Sequence, residues 1–261
     1  MDKVRTIILK EWSEVFKNRL VFFSVAFLPL LFIALPVITT LATGDIGAGG
    51  PEFEEEFPAA DVLCQNLEAA VCVEVYFLNL YGFMFMILPV AIPVTIAAYS
   101  IVGEKTTRSL EPLLATPITT TELLAGKALA AIIPAIAATW ISFGIFVIAM
   151  YFLVSNTAFQ YLLDPLWILA IFVVGPLLTL LAVTIAIMIS SRVSDPRVAE
   201  QISMLIILPI VLGVVGQSVG LLLIDRQFVL LVALVVLIID VALVYVGIQA
   251  FERETILTRW K

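Results

Sequence analysis

The sequence predicts an all-α membrane protein with six transmembrane helices, an N-terminal interfacial amphipathic helix and a short helix in one inner loop. Two observations carry this. Six long runs lack charge: residues 20–44, 75–103, 128–163, 165–191, 201–224 and 227–251, the last broken only by Asp240. Each is long enough to cross about 30 Å of hydrocarbon at about 1.5 Å per residue. In addition, 13 of the 14 Lys/Arg fall in alternate gaps between these runs. Lys3, Arg5, Lys10, Lys17 and Arg19 precede the first run. Lys105, Arg108 and Lys127 fill the second gap, Arg192 and Arg197 the fourth, and Arg253, Arg259 and Lys261 the tail, against Arg226 alone on the other side. Cytoplasmic loops collect Lys and Arg, so both termini are expected inside, in a multi-pass protein of the plasma membrane.

With 62% apolar residues and a mean hydropathy of +1.14, a water-soluble globule has nowhere to put its apolar surface. The net charge of −7 divides into acidic outer segments and a basic inner rim, which suits anionic headgroups. The rim is too sparse for a nucleic-acid footprint. The whole chain, 1–261, reads as a single membrane domain, its first apolar run retained and not cleaved.

Residues 1–19 place Val4, Ile7, Ile8, Trp12, Val15 and Phe16 at helical spacing. Lys3, Arg5, Lys10, Glu11, Glu14 and Lys17 lie between them, on an expected wet face. Such a helix serves either as a topology anchor or as a dock for a cytoplasmic partner.

Residues 44–74 form the one sizeable outer loop. It opens with Gly44, Gly47, Gly49, Gly50 and Pro51, followed by the acids Glu52, Glu54, Glu55 and Glu56. The acids read as a solvated charge block, with cation attraction as the other reading. Both cysteines, Cys64 and Cys72, lie here on the oxidising side. Asp61 as a cap, with Leu63, Leu67, Ala70 and Val71 at helical spacing, predicts one helix through both. Residues eight apart in a helix are about 12 Å apart, beyond the roughly 7 Å that a bridge tolerates. A disulfide therefore needs a break between them; two buried thiols are the alternative.

The inner gap at residues 103–127 reads as a short helix ending near Pro117, then a new helix capped by Thr119 with Glu122 in a capping box. Leu110, Leu113 and Leu114 give the short helix an apolar edge beside Glu104, Lys105, Arg108 and Glu111. Leucines flanked by both signs of charge suit insertion into a groove on a partner.

In these residues the chain resembles the ABC-2 type permeases, the membrane subunits of type V ABC exporters. The resemblance rests on Gly103-Glu104-Lys105, Ser109-Leu110-Glu111-Pro112-Leu113-Leu114, Thr116-Pro117-Ile118 and Glu122-Leu123-Leu124-Ala125-Gly126-Lys127. It extends to the tail from Phe251 to Lys261, the interfacial helix, the large first outer loop and the six spans. It implies that residues 104–116 are a cytoplasmic coupling helix seated on a P-loop ATPase subunit. It also implies two permease copies, a homodimer, working with two ATPases that bind ATP and Mg.

The chain has no P-loop of its own. The pair Gly126-Lys127 has Thr121 where the first glycine belongs and Ala128 where the hydroxyl belongs. With no histidine, no nucleophile–base pair and no carboxylate cluster at membrane depth, neither a catalytic site nor a metal site is expected.

Asp240 falls near the bilayer centre, where a charge costs at least about 2.5–3.5 kcal/mol. It is either a proton or cation site on a pathway, or a structural group bonded to a Thr, a Ser or Gln217. In the first case an ion-coupled secondary transporter is the competing function, although no inverted repeat is evident. Pro29, Pro36, Pro89, Pro93, Pro134, Pro176 and Pro209 predict kinked spans. Gly213, Gly216 and Gly220 form a small-residue face for close helix contact, and Trp140, Trp167 and Trp260 are candidates for the membrane interface. Asp195-Pro196 marks a helix start. The turn from Arg192 to Arg197 is either bare or a second contact to the ATPase.

Overall fold

The computed structural model describes residues 2–17, 19–44, 67–106, 118–221 and 225–250, and no strand occurs among them. The glycine-rich exit and acidic run of the outer loop, the short helix before Pro117 and the tail from Phe251 lie outside the described residues. In chain order the helices are α1 (Asp2–Lys17), α2 (Arg19–Gly44), α3 (Ala69–Met84), α4 (Leu88–Thr106) and α5 (Thr120–Leu153). They continue as α6 (Asn156–Leu162), α7 (Pro165–Leu169), α8 (Gly175–Arg192), α9 (Pro196–Met204), α10 (Leu208–Ser218) and α11 (Arg226–Ala250). Among the described residues six stretches are long and apolar enough to cross a membrane: Val25–Ala42, Ala70–Glu104, Thr121–Leu153, Asn156–Arg192, Pro196–Ser218 and Arg226–Gln249.

The second span, α3 continued by α4, is the axis of the bundle. Val75, Phe85, Leu88, Val90, Val94 and Ala97 are all fully buried, whereas the other spans bury one side and turn Leu, Ile and Phe outward. Around Phe85 the rings of Phe32, Phe143 and Phe146 pack with centroids 4.9–6.1 Å away, tying α2 and α5 to the axis. α8 lies along α4 on the other side. There the Ser190 hydroxyl donates to Ala98 O (2.8 Å) and accepts from Val102 N (3.1 Å).

Three of the prolines sit at breaks. Pro89, Pro176 and Pro209 each open a new segment, after a 3-10 turn at Phe85–Ile87, a π turn at Ala170–Val174 and a 3-10 turn at Leu205–Ile207. Proline offers no N–H to the preceding turn, so the hydrogen-bond ladder changes its step there. Pro29, Pro36, Pro93 and Pro134 are carried inside α2, α4 and α5.

The helix bearing Cys72 does not begin at Asp61. It starts at Ala69, with Glu68 in an extended conformation as N-cap. The break required for a bridge therefore exists between the two cysteines. Cys72 is in a disulfide; Cys64 lies outside the described residues. Two residues on, Glu74 accepts hydrogen bonds from Ser155 N (3.0 Å) and Ser155 Oγ (2.5 Å), fastening α3 to the cap of α6.

Two small-residue expectations divide. At Gly213 a Cβ would stand 2.7 Å from the Phe83 ring, so α10 packs against α3 within the chain. Gly220 has φ 76° and turns the chain past the end of α10. Trp167 is not an interface residue. It is buried in the core, with its ring over Gly82 so closely that a Cβ there would lie 2.9 Å away. The helix start at Asp195-Pro196 is as read: the Asp195 carboxylate accepts from Arg197 N, at the head of α9.

Candidate functional site

α1 does not float on the bundle. It runs beside the first turns of α5, and matching residues meet at steps of three to four, as helix periodicity requires. Lys3 lies 3.7 Å from Glu122. Ile7 covers Gly126 so tightly that a Cβ there would stand 2.8 Å from the isoleucine. Glu11 meets Lys127, and the Trp12 indole donates to Ala130 O at 2.9 Å. Ala130 is four residues before Pro134, so its carbonyl is the one that the missing proline N–H would leave unbonded. Trp12 fills that gap.

The centre of this junction is a charge network. The Lys127 ammonium is 2% exposed and donates to Glu11 Oε1 (2.8 Å), Ser100 O (2.8 Å) and Ser100 Oγ (3.2 Å). Glu104 Oε2 lies 3.0 Å from it, and Glu104 Oε1 accepts from Lys10 Nζ at 2.8 Å. Among the described residues two bases, Lys10 and Lys127, thus face two buried acids, Glu11 and Glu104, with Glu14 3.7 Å from Lys10 at the exposed edge. Burial lowers the proton affinity of Lys10, but the hydrogen bond and charge of Glu104, helped by Glu14 and Glu11, outweigh it and hold the ammonium above its ordinary pKa. Burial pushes Glu11 up, and the neighbouring Lys127 charge pulls against it. Glu11 therefore lies inside, not on the wet face of α1.

The network brings together the two edges of the loop between α4 and α5. Glu104 is in the last turn of α4. On the far side α5 opens with the predicted capping box: Glu122 N donates to Thr119 Oγ1 (3.2 Å) and Thr119 N donates to Glu122 Oε2 (2.9 Å). Five residues after Glu122 comes Lys127. α1 is the piece that bridges both edges.

Glu104, expected on an exposed rim, is 4% exposed and belongs to this network. Arg108, Leu110, Glu111, Leu113 and Leu114 lie outside the described residues. Arg192 and Arg197 are exposed, on either side of the turn from α8 to α9. Asp240 is buried in α11, far along the chain from the network, and neither carboxylate oxygen has a hydrogen-bond partner among the described residues. No group of three or more His, Cys, Asp or Glu that could hold a metal occurs among the described residues. Sequence reasoning counted Lys10 as a topology charge on the wet face of α1 and Lys127 as a topology charge in the family-like run from Glu122, and gave neither a buried partner. The available signal was Glu11 itself, in the i, i+4 row of Ile7 and Val15, where an acid on an apolar stripe calls for a buried base.

A family model described as ABC-2 family transporter protein matches residues 5–229. The chain belongs to that family. It is the membrane-spanning permease of an ABC transporter, a kind of subunit that is generally not catalytic itself and that works with an ABC ATPase. No curated protein matches it. The match takes in every residue of the permease's charge network and ends in the first turn of α11, so that Asp240 lies beyond it. An ion-coupled secondary transporter does not fit this family.

Proposed function

We propose that this permease is the membrane half of an ATP-driven exporter, a homodimer bound to two separate ATPase subunits. In this reading it lies in the plasma membrane with both termini cytoplasmic, and the partner binds ATP and Mg. The observation that carries the reading is the network of Lys10, Glu11, Glu104 and Lys127 across the edges of residues 107–117. A docking segment transmits force only if its roots are fixed. Here one root ends the most buried span and the other starts α5, and α1 ties the two through Glu11, Lys10 and Trp12. A push on the segment then moves α4 and α5 as one body. Leu110, Leu113 and Leu114 fill a groove on the ATPase, with Arg108 and Glu111 at its edge and Arg192 and Arg197 as a second contact.

The test is Leu113→Asp with Leu114→Asp, assayed for co-purification with the ATPase and for transport by reconstituted vesicles. Apolar anchors dominate such interfaces and exposed charges add little, roughly 0–1 kcal/mol. The double variant should lose the ATPase or uncouple hydrolysis from transport, and Arg108→Ala should change little. A double variant that keeps its ATPase and transports normally rejects the docking role.

A further inference from the structure

Among the described residues α2, α5 and α11 cross the bundle unbroken. The spans built from α3–α4, α6–α8 and α9–α10 instead change helical step just before Pro89, Pro176 and Pro209. The three breaks meet. The turn at Phe85–Ile87 touches the π turn at Ala170–Val174, and the turn at Leu205–Ile207 touches α4. A Cβ on Gly175 would stand 3.9 Å from the Pro89 ring. On one side of this level α3 holds its neighbours: α6 through Glu74 and Ser155, α7 through Gly82 and Trp167, α10 through Phe83 and Gly213. On the other side Ser190 of α8 is bonded to Ala98 and Val102 of α4, and those two are buried with Ala199 of α9.

The π turn carries a further detail. Its N–H groups reach carbonyls five residues back, as Gly175 N does to Ala170 O. The next acceptor in that ladder is Ile171 O, and the residue due to serve it is Pro176, which has no N–H. Trp140 of unbroken α5 supplies the donor, Nε1 to Ile171 O at 3.4 Å, with its ring against Phe172 at 5.1 Å. Trp12 serves Ala130 O before Pro134 in the same way.

We propose that this level is a hinge on which α4, α8 and α9 tilt as one body against α3, α6, α7 and α10, with Trp140 setting its resting position. A helix bends where its hydrogen-bond ladder is interrupted and resists bending elsewhere. One break packed among straight neighbours has no room to bend. Three in contact let both bodies tilt with their sideways bonds intact. Glu104 ends α4, so a push on the charge network enters the tilting body at its foot, and α5 follows as a straight rod. The hinge depends on neither the docking leucines nor the direction of transport.

The test is electron–electron resonance between spin labels on introduced cysteines, in the complex with its ATPase in lipid nanodiscs. The native disulfide is kept oxidised, and labelled chain is diluted with unlabelled chain so that distances within one permease are read. Labels go on exposed Leu212 of α10 paired with Arg192 at the end of α8, or with Asn156 of α6. The 18 residues of α8 make a rod about 27 Å long, so a tilt of about 10° carries Arg192 roughly 5 Å. Between the nucleotide-free complex and the complex trapped with ATP, Mg and vanadate, Leu212–Arg192 should shift by that order. Leu212–Asn156, within one body, and Leu129–Tyr151, along unbroken α5, should not. Trp140→Phe keeps a ring on Phe172 but removes the N–H, and should widen the nucleotide-free Leu212–Arg192 distribution. An unchanged Leu212–Arg192 distance, or an equal shift of Leu212–Asn156, would overturn the hinge. A wild-type distribution in Trp140→Phe would overturn the role of Trp140. The unsubstituted Trp140 chain decides the hinge even if Trp140→Phe does not fold.

Discussion

Replacing Lys127 by Met tests the charge network directly. The ammonium lies 2.8–3.0 Å from two carboxylates, each contact worth roughly 5–6 kcal/mol of gross attraction at an effective dielectric of about 20. Desolvation offsets most of this, so the gross figure is not the expected loss. What decides the outcome is the remainder. Lys127→Met keeps the volume of the stem but leaves Glu11 and Glu104 buried without the ammonium that both contact, and stranding a buried charge costs about 3–5 kcal/mol. Glu11→Leu strands half as much, because Lys127 keeps Glu104 and both Ser100 acceptors. The double variant removes one base and one acid together and leaves the Lys10–Glu104 pair. It should be more stable than the sum of the single losses by about 2 kcal/mol or more. The assay is thermal unfolding of the purified chain, with hydrogen exchange at the α1 amides to localise the loss. Additive single and double variants, or α1 amides exchanging at wild-type rates in Lys127→Met, would refute the network as the fastening of α1.

Gly126→Ala should destabilise the same junction by about 1–3 kcal/mol, since both the Cβ and Cγ2 of Ile7 block the new methyl; melting at the wild-type temperature would contradict the close approach of α1. A cysteine at exposed Asn156 should label from outside intact cells and one at exposed Arg192 should not; the reverse pattern would invert the topology. Cys72 is in a disulfide and the chain has only two cysteines, so the denatured, unreduced protein should contain no titratable thiol. Two thiols per chain would remove the proposed bridge to Cys64.

The features legible in the sequence are those written locally. Spans follow from run length, the start of α5 from Thr119 and Glu122, and the start of α9 from Asp195 and Pro196, because each signal acts within a turn of its own helix. The charge network was not legible, since Glu11 and Lys127 are 116 positions apart and Lys10 and Glu104 are 94 apart. At that separation a lysine on an inner loop and a lysine in a buried pair look alike. Trp167 was misjudged for a related reason: tryptophan at a helix end suits the membrane interface, and only the distant Gly82 makes room for it inside. The helix through Cys72 was drawn too long because apolar spacing continues across Leu67, where nothing in the pattern announces the extended Glu68.

The long span of sequence between Glu11 and Lys127 also dictates an order of events during synthesis. α1 emerges first, but the surface that receives it, the opening turns of α5, is made only after two spans have been threaded. Until then Glu11 lacks its buried base, whereas Lys10 already has Glu14 within α1 and, once α4 is made, Glu104; in the proposed orientation Lys127 is meanwhile a positive charge that helps hold its end of α5 on the cytoplasmic side. The same lysine therefore acts twice: first as an address label for the helix it begins, then, once α1 swings onto it, as the latch that closes the finished bundle.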